Sequence, residues 1–192
     1  MRMRALAALP LLVAAAAYAN DAPPHQAWTR AALERLPVSV DDRSPELATA
    51  KTEQLDGIAR VVADVSKSAP RPPREWSALL LTVGFHESSF SLRIQRGDCR
   101  PLECDRGRAR SAWQLHKNLF TAPVWDQLHG LENTEVQVRA ADAALRRGFW
   151  TCSRSGVPWL QGTINGFAGK RCGATWPGLE KRVATFSKLV SR

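Results

Sequence analysis

The sequence predicts a mostly α-helical domain, with a small loop or hairpin region inserted after its most apolar helix. Three observations carry this. Apolar residues recur at spacings of three and four in several segments, the period of a helix with one buried stripe. Helix-start and helix-stop residues bracket those segments. Between about residues 91 and 110 the period breaks into Gly97, Pro101, Gly107, two cysteines and several arginines, the composition of loops. With 192 residues, seven tryptophans and 44% hydrophobic residues, the chain can bury one sizeable core, which excludes a disordered or linker-like protein.

Taken in order, Met1 to Arg4 is a basic head, Ala5 to Ala17 an apolar run, and Ala17-Tyr18-Ala19 a small-x-small cleavage pattern. Residues 1–19 therefore read as an export signal. The run is shorter than the ~20 apolar residues of a spanning helix, and no later stretch is long and apolar enough to be one. Loss of Arg2 and Arg4 lowers the net charge from +9 to +7 and loss of Tyr18 removes the only tyrosine. A mechanism that needs a phenol is thereby excluded. An excess of positive charge points to an acidic partner: nucleic acid, anionic lipid or an anionic wall polymer.

Residues 20–68 are expected to form an N-terminal arm and one helix. The arm carries a short amphipathic piece around Trp28, Leu33 and Leu36. Ser44 reads as an N-cap and Pro45 as the first residue of a helix over about 46–67, whose stripe is Leu55, Ile58, Val62 and Val65. The remainder, 69–192, is expected to form the principal domain. In the helix opening near Arg74, the residues Trp76, Leu80, Val83 and Glu87 fall on one narrow face. A carboxylate that continues an apolar stripe is costly, since burial disfavours its ionised form. Helical patterning returns at about 112–120. Thr134 to Gln137 matches a capping box, and Arg146-Arg147-Gly148 reads as the end of the helix it opens. Short helices are expected near 157–167 and 177–190.

Cys99, Cys104, Cys152 and Cys172 all lie in the exported part, where disulfides form. Three pairings are possible; the two local ones would tie down Gly- and Arg-rich loops. Neither local pair has the Cys-x2-Cys spacing of a zinc site, and His86-Glu87 lacks the second histidine of His-Glu-x-x-His because position 90 is Phe90. No metal or cofactor is expected.

Two segments carry the chemistry. Glu87-Ser88-Ser89-Phe90 ends the apolar helix, and Ser111-Ala112-Trp113-Gln114-Leu115 follows, with Gln114 27 positions after Glu87. Together, over roughly 74–192, they resemble the lysozyme-like superfamily, and within it the soluble-type lytic transglycosylases. Those enzymes share a catalytic Glu in a Glu-Ser-x-Phe context and a Gly-x-x-Gln-Leu or Gly-x-x-Gln-Ile segment lining a saccharide cleft. The resemblance implies an α+β lysozyme-like fold, with Glu87 as the single acid/base. Ser89, Trp113, Gln114 and Phe167 are the candidate substrate contacts; Trp113 either stacks on a sugar face or packs in the core, and Trp150, Trp159 and Trp176 are expected to be core. Two departures stand out. Ser111 replaces the pattern's first glycine. In the C-terminal segment, where the family has Tyr-Asn-Ala-Gly, this chain has Ile164-Asn165-Gly166-Phe167-Ala168-Gly169. Phe167, with Asn165 as the other candidate, stands in for the tyrosine and can desolvate Glu87 without hydrogen bonding to it.

Carboxylate counting separates two reactions. A retaining hydrolase needs a second carboxylate ~5–5.5 Å from the acid. Animal-type lysozymes place an Asp shortly before the Gln segment, whereas the equivalent position here is near Ala109. Asp98, Glu103 and Asp105 are the nearest substitutes. The expectation is thus an exported, periplasmic or secreted, peptidoglycan lytic transglycosylase. A lysozyme-type muramidase and a non-catalytic peptidoglycan-binding protein are the alternatives. Arg93, Arg96, Arg100, Arg106, Arg108 and Arg110 form a basic stretch, read as a cleft-wall contact to peptide-stem carboxylates. Export argues against nucleic acid as the partner. An ion pair between Glu87 and Arg93 or Arg96 is the purely structural alternative for the glutamate.

Overall fold

A computed structural model describes residues 25–37 and 39–191; the export signal predicted for 1–19 lies outside them. The described chain is mostly helical, with two short strands. The helices are α1 (His25–Glu34), α2 (Ala48–Ser66), α3 (Pro73–Ser88), α4 (Leu92–Arg96), α5 (Cys104–Gly107), α6 (Ala122–Asp126), α7 (Thr134–Cys152), α8 (Trp159–Phe167) and α9 (Pro177–Val190). Strands β1 (Ala109–Arg110) and β2 (Leu115–His116) pair antiparallel, with Ala109 opposite His116 and Arg110 opposite Leu115.

Helix α3 is the axis of the core. Pro73 at its start has no N–H to leave unsatisfied and a φ already suited to a helix. Trp76, Leu79, Leu80, Leu81 and Val83 are wholly buried, each worth about 1.5–3 kcal/mol on transfer from water. Around α3 pack α1, α2, α7 and α9, all contributing to a single apolar cluster. Trp28, Ala32, Leu33 and Leu36 belong to that cluster, so the N-terminal segment is part of the core and not a loosely attached arm.

The local signals fared unevenly, for physical reasons. Pro45 opens a 3-10 turn, Pro45–Leu47, before α2 begins, and the Ser44 hydroxyl turns to Glu46 and caps nothing. The capping box at Thr134 does not form. The Thr134 hydroxyl donates to the Leu131 carbonyl at 2.6 Å and accepts from Gln95 Nε2 at 2.9 Å, while Gln137 reaches the Gly130 carbonyl. Gln95 in turn accepts from Gln54 at 2.6 Å. A buried polar chain from α2 to α7 therefore claims the groups that would have capped the helix. The helical patterning expected at 112–120 is instead β2 followed by a 3-10 turn, Lys117–Leu119.

Gly148 does not end α7, which runs on to Cys152. It marks where α7 crosses α8. A Cβ on Gly148 would lie 2.7 Å from the Thr163 carbonyl oxygen, and one on Gly166 would lie 2.5 Å from Gly148 Cα. The two glycines let the helix backbones touch, which brings the end of α8 against the site. Disulfides join Cys99 to Cys104 and Cys152 to Cys172, the two local pairings. No helix among the described residues is long and apolar enough to cross a membrane.

Candidate active site

Glu87 sits one residue before the end of α3, where the buried stripe meets solvent. The helix stops because Ser89 and Phe90 both adopt left-handed backbone, φ 52° and 50°, an uncommon conformation for residues other than glycine. Their surroundings hold them there. Ser89 N–H donates to the Phe85 carbonyl at 2.7 Å, and Phe90 N–H to Ser88 Oγ at 3.1 Å. Just beyond, the buried Asp42–Lys51 ion pair, 2.8 Å, clasps the turn: Lys51 donates to the Phe90 carbonyl and Leu92 N–H donates to the Asp42 carboxylate. Burial lowers the Lys51 pKa, against the opposing pull of Asp42.

The Phe90 ring folds back under α3 over Gly84, where a Cβ would meet it at 2.6 Å. Trp113 packs edge-on against Phe90, with ring centroids 5.7 Å apart, and its indole N–H donates to the Leu80 carbonyl at 2.9 Å. It is wholly buried. Of the two readings of Trp113, sugar stacking thus gives way to core packing: its ring fixes the Gln114 turn to the glutamate helix. Ser89 is likewise displaced from its expected role. It lines a separate hollow with Phe90, Lys51 and Arg30, away from the Glu87 cleft.

The cleft itself, about 450 Å³, is lined by Glu87, Gln114, His116, Phe167, Trp176 and Arg182 among others. Two of the expected contacts, Gln114 and Phe167, thus stand with Glu87. Gln114 has φ +51°, and Ser111, at the position where the resembled pattern has glycine, has φ +69°. This is the backbone region in which glycine is the least strained residue. Ser111 occupies it wholly buried, its Oγ accepting the Trp113 N–H at 3.1 Å, so a local side-chain hydrogen bond supports the turn.

Arg182 is the residue that sequence reasoning missed. From α9, 95 positions away, its Nη2 donates to Glu87 Oε1 at 2.6 Å. Its guanidinium lies 5.0 Å from the Trp176 ring centroid, and Nη1 donates to the Gly178 carbonyl. Oε2 of Glu87 accepts no hydrogen bond from the described residues. Arg93, the partner first considered for Glu87, is engaged elsewhere, by Glu103 and Asp41. The Arg93 guanidinium and the Arg100 N–H hold the Glu103 carboxyl down at about 2. His86, beside Glu87, hydrogen bonds to Thr185 of α9 at 2.9 Å, and burial, then Arg182, lowers its pKa.

Asn165 is wholly buried and uses all of its amide. Nδ2 donates to the Cys172 and Ala174 carbonyls, each at 2.8 Å, and Oδ1 accepts the Trp176 indole N–H at 2.8 Å. It thereby sets the loop that the Cys152–Cys172 disulfide closes, and places Trp176 under Arg182. Trp176, expected to be core, is half-buried at the cleft, whereas Trp150, also expected to be core, is 64% exposed. Glu87 is the only carboxylate among the described residues lining the cleft. Asp98, Glu103 and Asp105 do not reach it. No group of three or more metal-ligating side chains occurs among the described residues.

Comparison of the chain with protein-family models, with curated proteins and with solved structures finds no match.

Proposed function

We propose that this chain is an exported peptidoglycan lytic transglycosylase of lysozyme-like fold, with Glu87 as its only acid/base. The reading is carried by one observation: a half-buried glutamate at the end of the core helix is the sole carboxylate among the described residues lining a cleft shared with Gln114 and Phe167. Two disulfides support export to an oxidising compartment, periplasmic or extracellular.

In the proposed reaction the protonated Glu87 gives its proton to the oxygen joining N-acetylmuramic acid to N-acetylglucosamine. The C1–O bond breaks, and the N-acetylglucosamine side leaves with a free hydroxyl. The Glu87 carboxylate then takes the proton of the muramyl 6-hydroxyl as that oxygen bonds to C1, which closes a 1,6-anhydro ring and returns Glu87 to its starting form. One group serves both steps because it alternates between acid and base. Gln114, whose Nε2 is held by the Ser111 carbonyl and Cys104 Sγ, accepts from a saccharide hydroxyl through Oε1, Phe167 keeps water from the carboxyl, and Trp176, in place of Trp113, offers an aromatic face. Arg182 orients the carboxyl through Oε1 and leaves Oε2 for the substrate.

A retaining muramidase is disfavoured because, among the described residues, no second carboxylate lines the cleft to act as nucleophile. Digestion of purified peptidoglycan by wild type and Glu87→Gln, followed by muropeptide mass analysis, tests the reading. Anhydro ends with wild type and none with the variant are expected. Reducing ends would show a hydrolase, and binding without release would show a non-catalytic wall protein.

A further inference from the structure

Two further hollows lie in succession beside the Glu87 cleft. His116 and Asn118, which line it, also line a second hollow with Arg108, Arg110, Lys117 and Trp125. Arg110 and Gly107 of that hollow then line a third, of about 590 Å³, beside the Cys99–Cys104 disulfide together with Arg96, Arg100 and Arg106. The three hollows thus share walls in this order, a path along the surface, called the groove below, from the glutamate to an arginine-lined end.

The charges along the groove are one-sided. Asp105 is the only carboxylate among the described residues lining the second and third hollows, and it is already paired with Arg108. Arg110 is fixed in place, 4.5 Å over the Trp125 ring and bonded to the Trp125 carbonyl at 2.8 Å. Arg100 is bound to Asp41. Arg96 and Arg106 are exposed and have no ion-pair partner among the described residues. The turn that carries Arg106 is held in an unusual shape: Cys104, Asp105 and Arg106 all have positive φ, 50°, 47° and 57°, and the disulfide to Cys99 ties it down.

We propose that this groove is a binding site for the peptide stems of the glycan strand whose sugars occupy the Glu87 cleft, with Arg96 and Arg106 taking the stem carboxylates. The inference rests on the peptidoglycan reading of Glu87 and adds a specificity to it: the chain selects strands that still carry their stems. Carboxylates are the favoured ligand because a strand that extends from Glu87 along the shared walls passes this groove, and guanidinium forks donate to carboxylate oxygens in pairs. Of the six arginines in the basic stretch, Arg93 takes no part, being engaged by Glu103 and Asp41.

The test uses the exported chain carrying Glu87→Gln, so that strands are bound and not cut, and fluorescently labelled glycan strands with their stems intact or enzymatically removed. Stem-bearing strands are expected to bind about tenfold tighter at low salt, with the preference shrinking as salt screens it. Adding Arg96→Gln and Arg106→Gln is expected to abolish most of that preference while leaving the melting temperature unchanged, since both side chains are exposed and unpaired. Equal affinity for the two strands, or a preference that survives in the arginine variant, overturns the proposal. So does inorganic polyphosphate binding tighter than stem-bearing strands and losing its affinity in the same variant, which makes the groove a phosphate-polymer site. A wild-type chain that cleaves the wall but shows no stem preference removes this inference alone; one that neither cleaves nor binds removes the wall reading itself.

Discussion

Replacing Gly166 by alanine tests how the site is held. In an exposed helix interior, Gly→Ala stabilises by about 1 kcal/mol. At Gly166 the added Cβ would sit 2.5 Å from Gly148 Cα and 2.9 Å from the Gly148 carbonyl oxygen. Both neighbours are backbone of α7, so no side chain can swing aside, and α7 and α8 must part by roughly 1 Å to reach ordinary contact. Because rigid backbone and not a side chain must yield, the cost falls in the upper part of the range for overpacking, about 2–3 kcal/mol, which outweighs the propensity gain and leaves a net loss near 1–2 kcal/mol. For a domain of this size that is a fall in melting temperature of about 2–8 °C. Gly57 supplies the contrast: it lies inside α2, and an added Cβ would meet only Thr134 Cγ2 at 3.5 Å, so Gly57→Ala is expected to raise stability by up to about 1 kcal/mol. Because α8 carries Asn165 and Phe167, the Gly166 variant should also lose wall-cleaving activity, while the Gly57 variant should not. Urea unfolding of the two variants beside wild type measures both shifts. Movement in the same direction, or a Gly166 variant as stable as wild type, would refute the close crossing as the device that positions the cleft.

Asn165→Ala removes three hydrogen bonds and leaves the Trp176 indole N–H and two loop carbonyls without partners, a loss of about 2 kcal/mol or more; a changed Trp176 environment in near-ultraviolet circular dichroism should accompany it, and an unchanged spectrum would contradict the placement. Arg182→Ala should lower cleavage by up to about 10²-fold through a misoriented Glu87, with Arg182→Lys restoring part of the activity; equal loss in both would argue against a charge-pairing role. His86 predicts a pH effect whose sign follows from its burial. Its folded-state pKa lies below the ordinary 6.5, so as pH falls below that value the unfolded chain binds the proton first and stability is lost until the folded pKa is passed. Melting temperatures at pH 7.5 and pH 5 should show the drop, and His86→Gln should reduce it; a drop of the same size in the variant would assign it to other groups, His25 foremost, which burial also lowers.

The parts of the fold legible in the sequence were those set by periodicity. Trp76, Leu80 and Val83 announced the buried face of α3, and the same stripe placed Glu87 at its solvent end. What was illegible depended on contacts between distant segments. Arg182 is one basic residue among many until α9 crosses α3. Gly148 looks like a helix stop until α8 is laid against it. Trp113 could belong to cleft or core in the sequence and is drawn inward because its indole N–H finds the Leu80 carbonyl, whereas Trp176, expected to be core, is drawn to the cleft rim by Asn165. Thr134 and Gln137 have the spacing of a capping box, yet Gln95 and Gly130 compete successfully for their polar atoms. The departure at Ser111 was visible in the sequence, but the Oγ bond that sustains its left-handed backbone was not.

The most direct measurement for a single acid/base at Glu87 is cleavage of peptidoglycan in heavy-oxygen water, with the new ends weighed. Wild type should release ends one water lighter than a hydrolase would and free of the label, and Glu87→Gln should be slower by at least about 10²-fold. Label built into the new ends, or a variant that releases them as fast as wild type, would contradict the account.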